Sequence, residues 1–203
     1  MGKLGGALVA MSLYRKSNGL NMKHIHIIST VLIIFIITNS GCYQMDNSEF
    51  KSKKVLRTAT ITVEGKIEIV FPLFGAFEEK KWAKGWNPVL IYPEMEIIEE
   101  GTTFKTEGHG HGESEFIWRV SKYEPEKFLI QYLVTTENRY WTITVKCKTI
   151  EENKTSADIT YSFIGLNEIG NKINEHSLSL IYKNDLKDWE EEINNYLKKL
   201  SSK

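Results

Sequence analysis

Trp141-Thr142-Ile143-Thr144-Val145-Lys146-Cys147-Lys148 is the stretch that decides the fold class. Successive side chains of an extended chain point to opposite faces. Trp141, Ile143, Val145 and Cys147 therefore share one face, and Thr142, Thr144, Lys146 and Lys148 the other. One apolar face and one wet face predict an antiparallel sheet covered on a single side. The following run repeats the rule with Ala157, Ile159, Tyr161 and Phe163.

Working outward, β-type runs at about 88–97, 101–107, 114–123 and 126–136 lead up to those at about 139–151 and 154–164. Gly101, the Gly-rich stretch 108–112, Glu124-Pro125, Glu137-Asn138 and Glu152-Asn153 separate them, and such residues punctuate strands. Short turns between consecutive strands make a meander. Nearer the N-terminus, Arg57, Ala59, Ile61 and Val63 alternate with Thr58, Thr60, Thr62 and Glu64, which predicts another strand. Residues 71–84 carry two apolar clusters around Glu78, Glu79, Lys80 and Lys81 and read as one or two short helices. Toward the C-terminus, Leu178, Tyr182, Leu186, Trp189, Ile193, Leu197 and Leu200 recur at spacings of three and four. That stripe predicts one amphipathic helix of about twenty-five residues. A sheet with one apolar face and a long helix to cover it is an α+β arrangement.

The chain of 203 residues is 41% hydrophobic and 26% charged, a length and composition that support one sizeable core. Its 26 basic side chains balance 26 acidic ones, which speaks against a nucleic-acid partner. The balance is uneven: Lys3, Arg15, Lys16 and Lys23 fall in residues 1–41, which hold no acid. Ile27 to Ile37 is apolar except for Ser29 and Thr30, follows Lys23, and ends in Asn39-Ser40-Gly41-Cys42. A membrane span needs about 20 apolar residues, roughly twice this run. Residues 1–41 therefore read as a cleaved signal peptide, ahead of an uncleaved anchor or a buried helix, with Met22 as a second candidate start. The exit resembles the bacterial lipoprotein box, although Asn39 stands where an aliphatic residue is usual. The resemblance implies lipidation of Cys42 and an exported, membrane-anchored protein. Residues 42–54 then serve as a polar tether, and 55–203 form the domain. Cys147 lies in phase with apolar strand neighbours and reads as a buried small hydrophobe.

Phe71-Pro72-Leu73-Phe74, then Glu79, Trp82, Gly85-Trp86 and Pro88, resemble the opening of one branch of the START-like (SRPBCC) superfamily. Gly101-Thr102-Thr103-Phe104, Trp118-Arg119-Val120 and Thr160-Tyr161-Ser162, followed by Leu166 and Gly170, resemble its later strands and the entry to its helix. Three positions depart: Gly75-Ala76 replace Thr-Pro, and Asn87 an Asp common in the branch. The resemblance spans about residues 55–200. It implies a helix-grip domain: a seven-stranded antiparallel sheet wrapped around a long C-terminal helix, with two short helices after the first strand. Members enclose an apolar cavity; some bind lipids or other hydrophobic ligands, and others catalyse cyclisation of polyketide-like substrates.

The expected function is accordingly binding of a small hydrophobic molecule or lipid, without a cofactor. The candidate cavity residues are Trp82, Trp86, Trp118, Tyr132, Trp141, Tyr161 and Trp189. His109 and His111 share a face of an extended chain that Glu113 would prolong, a weak candidate metal set in a Gly-rich loop. Glu79 is expected in a structural role, capping or pairing beside the entrance helices. His176 is expected half-buried and without special function. No Ser-His-Asp order and no phosphate-cradling loop can be read. A cyclase-type enzyme would differ from a binder by a titratable group pointing into the cavity, and an interaction domain would lack the cavity.

Overall fold

The computed structural model describes residues 49–110 and 113–202, the backbone alone at 109 and 110. The signal peptide, Cys42, the first part of the tether and the imidazoles of His109 and His111 lie outside the described residues. Glu49–Lys203 is one compact unit.

Strand β1 spans Lys54–Glu64, β2 Val89–Tyr92, β3 Thr103–Gly110, β4 Glu113–Glu124, β5 Leu129–Thr135, β6 Arg139–Glu151 and β7 Lys154–Gly165. They form one antiparallel sheet in the order β1-β7-β6-β5-β4-β3-β2. The meander from β2 to β7 is thus closed by β1, which pairs with the last strand. Burial alternates along β6, with Trp141, Ile143, Val145 and Cys147 inward, as the sequence dictates. Register shifts at Leu90/Tyr92, Glu107/Gly110, Val120/Lys122 and Thr149/Glu151 bend the strands over the core.

Between β1 and β2 lie helix α1, Ile67–Val70, and two tight turns of 3-10 helix, Phe71–Phe74 and Glu79–Lys81. Phe71, Leu73 and Phe74 are buried, so the Phe-Pro-Leu-Phe segment is a plug of the core. The last residues of the stretch expected as a tether contact the domain. Ser52 Oγ donates to the Gly165 carbonyl at 2.6 Å, and Asn171 accepts from Lys53 N–H at 3.0 Å while donating to the Lys51 carbonyl at 3.0 Å. Residues 51–53 are therefore docked on the domain.

The C-terminal region is helical, but the stripe from Leu178 to Leu200 does not run in one helix. Helix α2 spans Glu168–Ile181 and α3 Lys187–Ser201. The chain turns between them, with Asp185 and Leu186 in the left-handed region at φ 54° and 59°. Burial of Leu186 offsets the strain of that conformation. The Tyr182 hydroxyl accepts from Tyr161 N–H at 3.1 Å and lies 2.7 Å from the Arg57 carbonyl and 2.9 Å from that of Ile159. It thereby ties the end of α2 to strands β1 and β7. Tyr182, Leu186 and Ile193 remain the buried ridge.

Candidate ligand cavity

Two cavities, of about 360 Å³ and about 270 Å³, lie within the domain. Trp86, Trp118 and Tyr161 line both and form their common wall. Trp141 lines the larger; Trp82, Tyr132 and Trp189 line the smaller. All seven aromatic residues singled out in the sequence are thus on cavity walls. A shallower depression at the turn between α2 and α3 shares Tyr161 and Trp189.

Hydrogen bonds hold the rings. The Trp82 indole donates to the Leu73 carbonyl at 2.8 Å and the Trp86 indole to that of Ala76 at 2.6 Å. The Tyr132 hydroxyl donates to the Phe74 carbonyl at 2.9 Å. Three of the seven are therefore anchored on the Phe-Pro-Leu-Phe plug and the residues just after it. Trp118 donates to Thr106 Oγ1 at 3.0 Å. Edge-to-face contacts join Trp86 to Trp118 at 5.2 Å and Trp82 to Trp189 at 5.5 Å, favourable arrangements for rings with negative faces and positive edges.

Two charged features of the cavities differ from expectation. Glu113 is not a surface ligand of a metal set. It is buried and receives Arg139 at both oxygens, Nε to Oε1 at 3.0 Å and Nη2 to Oε2 at 2.7 Å. Thr136 donates to the same carboxylate at 2.8 Å, and Arg139 Nη1 donates to Ser177 Oγ of α2 at 2.8 Å. The guanidinium also lies over the Trp141 ring at 4.9 Å. This network forms one end of the larger cavity. Strand alternation signals only the inward position of Arg139, two residues before Trp141 on the buried face of β6, and not its partner.

Glu79 is the second. It lines the smaller cavity from the Glu79–Lys81 turn and, among the described residues, neither caps nor pairs. It is half-buried. Burial pushes it well above the ordinary carboxylate range, and among the described residues no charge partner or hydrogen bond opposes that shift. Burial raises Tyr132 and Tyr161 as well, and the charge of Glu79 acts on both in the same direction. His176 is exposed at the edge of the larger cavity, not half-buried as its helical phase implies. Cys147 is buried, as expected of a small hydrophobe, and burial pushes its thiol up to about 12. No cluster of metal-ligating side chains occurs among the described residues.

The domain has the helix-grip fold. The aromatase/cyclase Zhui from Streptomyces sp. R1128 superposes with a TM-score of 0.55 at 12% identity, covering 74% of this chain and 96% of its own. Norcoclaurine synthase from Thalictrum flavum, solved in complex with dopamine and hydroxybenzaldehyde, gives 0.55 at 11% identity over 73% and 88%. Ara h 8.0201 gives 0.50 at 9% identity over 72% and 99%. Identities this low establish the shared fold alone. No family model and no curated protein matches the sequence.

Proposed function

We propose that this chain is an exported domain, held at a membrane by a lipid on Cys42, that binds a small hydrophobic molecule or lipid between its sheet and its C-terminal helices. The observation that carries the reading is the convergence of all seven aromatic residues on the walls of two adjoining cavities. Ligand sites are concave and mostly apolar, with a few polar groups to orient the guest. Here the Glu113–Arg139 pair and Glu79 are those groups. The larger cavity also falls within the usual size of a ligand site, about 300–1,000 Å³. The reading needs no cofactor and no nucleic acid.

Native mass spectrometry of the gently purified protein tests it. The expected result is a reproducible non-covalent adduct, lost on denaturation and identified as an apolar compound. A bare mass, together with failure of apolar dyes to bind, would refute ligand carriage. A second reading, an enzyme of cyclase or aromatase type, is favoured by one observation: Glu79 is a titratable group facing the cavity. It would act as general acid or base on a bound substrate.

A further inference from the structure

We infer that the smaller cavity is a receptor for an organic ammonium ion, with Glu79 as the counter-charge and tryptophan rings as the cage. The inference rests on the ligand-binding reading above and specifies the chemistry of the guest.

Glu79 projects into a void of about 270 Å³ whose walls include Trp82, Trp86, Trp118 and Trp189. Nearby acids have partners elsewhere: Glu78 pairs with Lys81, Glu96 with Lys80 and Glu190 with Lys187. Glu79 has no ion pair or side-chain hydrogen bond among the described residues. An anionic guest would oppose ionisation of this carboxyl and gain no charge partner from it. A hydrocarbon guest would displace water from it and leave it unpaired, which is costly. A cation removes that penalty and is at the same time attracted to the electron-rich faces of indole rings.

The other charges around the cavity do not supply the missing partner. Lys84 stands exposed on its rim. Asp188 acts on Tyr161 and, being acidic, adds to the attraction for a cation. Tyr132 and Tyr161 contribute neutral phenols. The small volume limits the guest to an ammonium group with a body of about one or two rings.

A permanent cation makes the protein's own titration visible. In the empty site burial favours the protonated carboxyl, and a bound cation favours its ionised form. Binding therefore releases a proton, and affinity rises with pH through the carboxyl's range.

The test uses phenyltrimethylammonium and its neutral isostere tert-butylbenzene, titrated into the full chain by calorimetry and tryptophan fluorescence at pH ~6 and ~8. An apolar cage alone prefers the hydrocarbon. The expected result is the reverse: the cation binds about tenfold tighter or more at the higher pH. It does so with proton release, read as a buffer-dependent enthalpy. Glu79→Gln is expected to abolish the preference and the proton release. The buffer comparison on the wild type needs no variant and stands if E79Q does not fold. Equal or tighter binding of tert-butylbenzene would overturn the ammonium receptor and leave the apolar cavity reading intact. Binding of neither probe would overturn both.

Discussion

Arg139 and Glu113 meet as a two-pronged ion pair at 2.7 Å and 3.0 Å, with 6% and 1% of their side chains accessible. Charges so deprived of water are stable only together, because each alone would carry its full desolvation penalty. The pair joins β4 to β6 across the intervening β5, and Ser177 extends it to α2. It holds one end of the larger cavity in shape.

Arg139→Met is expected to cost about 3 kcal/mol in urea denaturation, because it strands the Glu113 carboxylate. The double variant with Glu113→Leu should cost less than the sum of the two single changes. Strict additivity would show that the two side chains contribute independently.

Glu79 predicts a pH dependence of stability. Its carboxyl is raised in the folded state, so the fold binds its proton more tightly than the unfolded chain does. That contribution is complete below the ordinary value of about 4.3 and is lost as pH rises through the folded value. Glu79→Gln should therefore gain thermal stability over the wild type as pH increases. Parallel melting curves at all pH values would contradict the burial of this acid.

A Cβ on Gly170 would stand 1.9 Å from the Asn138 carbonyl oxygen, which itself accepts from Leu166 N–H at 2.8 Å. Backbone on both sides cannot yield cheaply. Gly170→Ala is expected to destabilise by about 2 kcal/mol or more, whereas alanine at exposed Lys172 should be neutral. Equal melting temperatures for the two variants would be inconsistent with this packing.

Tyr182→Phe removes the hydroxyl that links the end of α2 to β1 and β7. The loss should be about 1–2 kcal/mol, since Tyr161 N–H is left without its acceptor. An unchanged denaturation midpoint would mean that the turn at 182–186 is held by apolar burial alone.

Cys42→Ser is the variant for the membrane anchor, which concerns residues outside those described. Lipid labelling and membrane retention are both expected to disappear. Retention of both would refute the lipoprotein reading.

The strands are legible in the chain itself, because a period of two survives in the local sequence wherever one sheet face is buried. Trp141 to Lys148 and Ala157 to Phe163 occupy the faces that alternation assigns. The aromatic cavity walls are legible for a related reason, since large rings on inward positions must pack against each other or enclose space. The break between α2 and α3 is not. Tyr182, Leu186 and Trp189 keep helical spacing across it, and only the sheet shows that Tyr182 spends its hydroxyl on strand backbone while Leu186 turns left-handed to stay buried. The partnership of Glu113 with Arg139 is equally hidden, being a contact across 26 residues that exists once β5 lies between β4 and β6. Glu79 differs from its paired neighbours by nothing local. Local periodicity determines which elements form and which faces are apolar. Which charges are sealed inside, and which of them lack a partner, is decided when the elements close over one another and water is excluded.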